Sequence, residues 1–101
     1  MKTVRPFQIS ISKETLVDLQ NRLKNARWTT TVKDAGWDYG TEMEYLKGLT
    51  AYWQHGYNWR KQEKELNKLN HFKSKIEDYD IHFIHQHGKG PNPRPILLLH
   101  G

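Results

Sequence analysis

Six histidines and a few close-set carboxylates are the residues of this chain with chemistry to offer. His85 and His87 would share a face of any strand that carries them, and a third ligand would complete a zinc site. No cysteine is present to assist, and no H-E-x-x-H spacing sets two imidazoles on one helix face. A metal centre is therefore not expected. Asp34/Asp38 and Asp78/Asp80 place carboxylates near each other without a convergent base; turn and cap duty accounts for them. Gly88-Lys89-Gly90 has the glycines and the cation of a phosphate loop. Such a loop must open a helix whose N-terminus receives the anion, and Pro91, Pro93 and Pro95 forbid that helix. No serine sits in a G-x-S-x-G elbow. His100-Gly101 stands apart. The glycine lets the backbone turn sharply, so that a following main-chain N–H can point at a developing oxyanion.

The element that must position His100-Gly101 is the run Pro95-Ile96-Leu97-Leu98-Leu99. Four branched aliphatics without a polar break, opened by proline and closed by glycine, predict a short strand buried on both faces. That is the habit of a parallel sheet covered by helices. In such sheets the chemistry lies at the carboxyl ends of the strands. The chain is accordingly expected to be the front end of a larger α/β protein, with His100-Gly101 at the rim of its site.

Composition narrows the classes. Hydrophobic residues make up 36% of 101 residues and mean hydropathy is −0.92, so any core must be thin, with aromatics doing much of the burying. Without cysteine there is neither a disulfide framework nor a thiolate metal site. No apolar run approaches a membrane span and no signal-peptide core follows Met1, so a cytoplasmic protein is expected. The net charge of +5 raises nucleic acid as a partner. However, the basic excess is local to Arg60–Lys75, and acids interleave with bases elsewhere as on solvated helix faces. No nucleic-acid partner is expected.

Along the chain, Phe7-Gln8-Ile9-Ser10-Ile11 alternates with period two and predicts a strand or extended arm. Ser12 is the expected N-cap of a helix from Lys13 to about Asn25, with Leu16, Leu19 and Leu23 as its stripe. Residues 27–40 lack a period and form a connector in which Trp28, Trp37 and Tyr39 are too large to leave undocked. Thr41-Glu42-Met43-Glu44 has the form of a capping box, Thr41 at N-cap and Glu44 at N3. Met43, Leu46, Leu49 and Trp53 then follow at helical spacing up to Gly56. Gly48 inside this helix suggests a close packing neighbour. Asn58 caps a further helix, Trp59 to about Leu69. His71–Ile76 and Asp80–His85 predict a hairpin joined by Glu77-Asp78-Tyr79, with Ile81 and Phe83 on one face and His82 and Ile84 on the other.

This order of elements resembles the N-terminal region of the epoxide hydrolases of microsomal and fungal type, enzymes of the α/β-hydrolase superfamily. The resemblance rests on Phe7–Ile11, Gly36-Trp37 to Gly40-Thr41, Tyr52-Trp53, and Tyr57-Asn58-Trp59-Arg60 with Glu63. It continues through Leu66-Asn67, Phe72, Ile81–His85 and Pro95–Gly101. The chain departs in having Asn58 where the family usually has Asp, and no glycine in the turn at Glu77-Asp78-Tyr79. The implied architecture is α/β: an N-terminal helical wrap over residues 1–70, then the first hairpin and first central strand of an incomplete α/β-hydrolase fold over residues 71–101. The implied chemistry is the parent's. An aspartate opens the epoxide to an ester, two cap-domain tyrosines hold the epoxide oxygen, and a histidine with an acidic partner activates water. No catalytic residue of that set falls within these 101 residues. His100 and Gly101 match the start of the family's His-Gly-x-Pro oxyanion turn, and Trp37, Trp53 and Trp59 are expected to be structural anchors. No cofactor is implied. The implied partners are epoxide and water for the parent, and the remainder of the catalytic domain for this chain. Some relatives carry a membrane anchor, but Met1 lies directly before the Phe7 arm, so none is expected. The competing expectation is a free-standing basic helical interaction module.

An uncovered Ile96–Leu99 run beside unpaired backbone groups would be an aggregation site. Residues 1–94 are thus expected to behave better than residues 1–101 in sedimentation and tryptophan fluorescence. A sharper melt and a cleaner monomer for the longer chain would show instead that the run packs within a complete domain.

Overall fold

A computed structural model describes residues 3–101; Met1 and Lys2, and with them the expectation that no anchor precedes the Phe7 arm, lie outside the described residues. In order, the elements are β1 (Val4–Phe7), α1 (Lys13–Lys24), α2 (Met43–His55), α3 (Trp59–Leu66), β2 (His71–Ile76) and β3 (Tyr79–Ile84). They fall into two compact units. One joins Gln62–Gly101 to the N-terminal arm up to Ile9, and the other is Ser10–Lys61.

The first unit is built on an antiparallel sheet of order β1-β2-β3. β1 begins three residues before the predicted Phe7–Ile11 and shares only Phe7 with it: Val4 pairs with Ser74 and Phe7 with His71, while Ile9 and Ile11 are not in the ladder. The reason is backbone pairing, since β2 offers partners only as far as His71. Pro6 lacks a donor and is tolerated because β1 is an edge strand. Ile9 finds its partner elsewhere. The Asn67 side-chain amide accepts from the Ile9 N–H at 2.8 Å and donates to the Ile9 carbonyl at 2.8 Å. One side chain thus mimics a strand partner for a residue beyond the sheet. Sequence periodicity carries no sign of it.

The hairpin β2–β3 has the expected facing. Register sets His71 opposite Ile84, Phe72 opposite Phe83 and Lys73 opposite His82. Residues directly opposite share a face, so Arg5, Phe7, His71, Lys73, Lys75, Asp80, His82 and Ile84 lie on one side. Val4, Pro6, Phe72, Ser74, Ile76, Tyr79, Ile81 and Phe83 lie on the other. On the second face the Phe72 and Phe83 rings stack at 5.7 Å. On the first, Arg5 reaches Asp80 at 3.1 Å, and Lys73 Nζ sits 4.2 Å from the centre of the Phe7 ring. Asp80 therefore serves as an ion-pair partner on a strand rather than as a turn residue. Ile76 pairs with Tyr79, so the turn is the two residues Glu77-Asp78, and Glu77 has φ 54°.

In the second unit Ser12 caps α1 as expected, its hydroxyl accepting from the Thr15 N–H at 3.1 Å. Asp18 and Arg22 pair at 2.8 Å one turn apart. Leu16, Leu19 and Leu23 are the sheltered positions of α1, and α1 packs against α2. The cap of α2 differs from the expected box. Glu42, not Thr41, is the N-cap, and its carboxylate accepts from the Tyr45 N–H at 2.7 Å. The helix starts one residue later, so its N3 donor is the Tyr45 N–H rather than the Glu44 N–H that Thr41 would have capped. That bond from Tyr45, then one from the Glu44 N–H and the charge of Lys47, hold the Glu42 carboxyl below the usual carboxylate range. The cap is therefore in place at neutral pH and is lost as pH falls through that lowered value.

Gly56 ends α2 in a right-handed conformation, φ −104°, as the C-cap. Space rather than dihedral freedom selects it: a Cβ there would meet the Tyr52 ring at 2.7 Å. The close neighbour expected at Gly48 is absent among the described residues, with nothing within 4 Å of a Cβ built there. Asn58 caps α3 by accepting from the Lys61 N–H at 3.0 Å. α3 stops at Leu66 rather than Leu69 because the chain tightens into a turn, with Lys68 N–H bonded to Glu65 O and Leu69 N–H to Leu66 O.

Neither unit has a buried apolar residue among the described ones; the buried side chains are Glu63, His71 and Ser74. Of the aromatics expected to form a thin core, Phe7, Trp59, Phe72 and Phe83 are half-buried and the others lie open. Ile96–Leu99 makes no ladder in this structure and is 81–88% exposed.

Two outcomes follow from the first unit. Replacing Asn67 with alanine strands two partly buried backbone groups of Ile9, and should cost about 2–3 kcal/mol in a chemical melt; an unchanged midpoint would show that the amide carries no weight. Glu77→Gly relieves a left-handed non-glycine residue, and should raise stability by about 1 kcal/mol; a lower melting temperature would contradict the strain.

Candidate functional site

The side chains with chemistry sort into three places. In the first unit His71 is 6% exposed. Its Nε2 lies 2.7 Å from the Leu66 carbonyl oxygen and its Nδ1 lies 2.9 Å from His82 Nε2. A carbonyl oxygen only accepts, so His71 Nε2 carries a proton and the neutral ring presents a bare Nδ1 to His82. The Phe7 ring meets His82 edge-on at 4.9 Å. His71 was not singled out among the sequence candidates. Its only trace there is its place at the head of β2, five residues after Leu66, and nothing in that spacing announces burial.

The second place is the end of β3. His85 and His87 come together as the shared face predicted, ring centres 4.9 Å apart, with His85 also 6.4 Å from Phe72. Among the described residues no group of three or more His, Asp or Glu is arranged to hold a metal. The His85 N–H bonds to the Asn70 carbonyl, and the Gln86 side chain accepts from the Asn70 N–H. These bonds tie the strand end back to the start of β2.

The third place is an open cavity of about 550 Å³ in the second unit, walled by the connector and the start of α2, among them Thr29, Lys33, Asp34, Tyr39 and Met43. Asp34 has φ 59° and Gly36 φ 54°. Asp38 accepts its place through an N–H bond to Ala35 O. Both aspartates thus sit in turns. Glu42, another carboxylate of the wall, is occupied as a helix cap.

The sequence candidates lie outside these clusters. His100 and Gly101 are exposed at the end of the chain, and a Cβ built on Gly101 meets nothing within 4 Å. Of the tryptophans expected as anchors, Trp37 is 57% exposed with its ring 5.1 Å from Tyr45, Trp53 is 45% exposed, and Trp59 is half-buried at the start of α3. No helix among the described residues is long and apolar enough to cross a membrane.

Comparison with known proteins fits this arrangement of elements. The family model described as "Epoxide hydrolase N terminus" matches residues 4–101. Epoxide hydrolase 1 of Sus scrofa is 41% identical over 104 residues, covering 99% of this chain and 23% of its own length. The juvenile hormone epoxide hydrolase of Manduca sexta is 36% identical, again over 99% of this chain and 22% of its own. Among solved structures, the juvenile hormone epoxide hydrolase of the silkworm Bombyx mori superposes with a TM-score of 0.80 at 29% identity, over 90% of this chain and 24% of that one. The Aspergillus niger epoxide hydrolase gives 0.74 at 28% identity, over 81% and 22%. The chain thus spans less than a quarter of the length of these relatives. The three helices and antiparallel sheet are a partial α/β-hydrolase architecture, and the chain belongs to the epoxide hydrolase N-terminus family.

Proposed function

We propose that this chain is the N-terminal region of an enzyme that adds water to epoxides, and that its role is to wrap the catalytic domain and support the cap. One observation carries the wrapping role: the chain leaves its apolar surface open. No apolar side chain among the described residues is buried in either unit. Trp37, Trp53 and the Ile96–Leu99 run are among the apolar groups left open. In this reading the tryptophans, Trp59 included, are anchors that dock on the catalytic body. Residues 1–70 form the wrap and 71–101 lead into the central sheet.

The parent chemistry proposed is that of the family: an aspartate opens the epoxide to an ester that activated water then hydrolyses. This chain's share is His100-Gly101, the start of the turn whose next backbone N–H stabilises the oxyanion. A free-standing interaction module gains nothing from the comparisons, which align nearly the whole chain with enzymes.

The test is a chimera in which this chain replaces the matching segment of the Sus scrofa relative. The chimera should convert styrene oxide to the diol, and the 101-residue chain alone should not, having no nucleophile–base pair beside an oxyanion donor. Gly101→Val in the chimera should lower the rate by about 10²–10³-fold with its melt unmoved. Diol formation by the isolated chain above buffer, or a folded but inactive chimera, would overturn the reading.

A further inference from the structure

We infer that the open face of α2, formed by Tyr45, Leu49 and Tyr52 with Trp53 and the neighbouring Trp37, is the surface on which an apolar segment of the parent's catalytic domain seats. This rests on the reading above and names the contact through which the wrap is held. α2 carries two stripes. Met43, Leu46 and Thr50, with Lys47 and Gln54, are its sheltered positions, and α1 is the element that packs on α2 among the described residues. Tyr45, Leu49 and Tyr52 recur at i, i+4 and i+7 and form the second stripe, with Trp53 at its edge; these four are 45–58% exposed. Trp37 extends it from the connector, its ring 5.1 Å from that of Tyr45 and tilted by 59°. A helix with large apolar side chains on two sides is one packed between two bodies, and α1 is one of them.

The character of the face selects its occupant. Helices that lie on a lipid surface have a polar side rich in Lys and Arg. α2 has one lysine, Lys47, and it pairs with Glu44 at 3.1 Å. The stripe itself is aromatic and uncharged, the composition of an interface core, with tyrosine hydroxyls able to reach a polar rim. It therefore suits an apolar protein surface rather than a charged peptide or a nucleic acid. Such a surface is at hand in the relatives. The silkworm enzyme holds these elements with a TM-score of 0.80 inside a chain of which they make up 24%, so most of that chain is available to cover the stripe.

Leu49 separates this surface from a merely exposed one. It lies between Tyr45 and Tyr52 on the stripe and is 49% exposed. Lysine and leucine have similar helix propensities, so Leu49→Lys is silent while the face is open. Under a docked body the same lysine is taken out of water without a partner, which is costly. Ala51 is the control: it is exposed on the same helix, about 200° around from Leu49.

The experiment compares the 101-residue chain with the chimera described above. Leu49→Lys should leave the helical circular dichroism of the isolated chain unmoved and lower the melting temperature of the chimera by about 5 °C or more; Ala51→Lys should move neither. Oxidative labelling of Tyr45, Tyr52 and Trp53 should drop from the isolated chain to the unsubstituted chimera, and this reading stands even if the Leu49→Lys chimera does not fold. Equal labelling in the two, or a chimera that tolerates Leu49→Lys as it does Ala51→Lys, would overturn the docking surface alone. So would self-association of the isolated chain that Leu49→Lys abolishes while the chimera is unmoved, since the occupant would then be a second copy. A folded chimera that forms no diol but keeps the contrast removes the proposed activity and leaves the docking surface. An unsubstituted chimera that does not fold removes both.

Discussion

Unburied apolar surface is the constraint on which the rest of this structure depends. Folding must offset the entropy of an ordered chain, and burial of apolar area is the main term available for that. Here no apolar side chain among the described residues is buried. What order the units have within themselves comes from backbone pairing in β1–β2–β3, from helix caps at Ser12, Glu42 and Asn58, and from the Asn67 amide on Ile9. Such local devices are each worth about 1 kcal/mol. They set conformation, but they do not supply the large hydrophobic term.

That division explains the polar character of what is buried. Glu63, His71 and Ser74 are the sheltered side chains, and His71 is satisfied at both ring nitrogens. Polar groups can be covered within the chain because their partners lie close in sequence or across a strand pair. Trp37, Tyr39 and Ile96–Leu99 stay open. The epoxide hydrolase relatives supply a natural counterpart, since this chain matches only their first quarter or less.

Much of the local structure was legible in the sequence because it is encoded by neighbours. Ser12 and Asn58 name their helices by side-chain chemistry at the cap, and the leucines of α1 carry the helical period. The alternation of Ile81-His82-Phe83-Ile84 assigns both faces of β3. What was not legible is what depends on competition or distance. Thr41 and Glu42 both offer an oxygen to the first turn of α2, and only the backbone path decides that Glu42 takes it. Leu69 continues a helical stripe that a turn interrupts. The Asn67–Ile9 bonds span 58 residues and the His71–His82 contact depends on strand register, neither of which a single-sequence period reports. The resemblance identified the family through ordered motifs, above all the aromatic pairs and the run ending in His100-Gly101.

The claim at the centre is that this chain's apolar surface is completed by a body beyond it. A urea titration of the isolated chain tests this most directly, because the slope measures surface newly exposed on unfolding. A chain with no apolar core should give a shallow transition, with a slope below about 1 kcal/mol per molar urea. A steep, cooperative transition with the slope of a compact domain of this size would contradict the account.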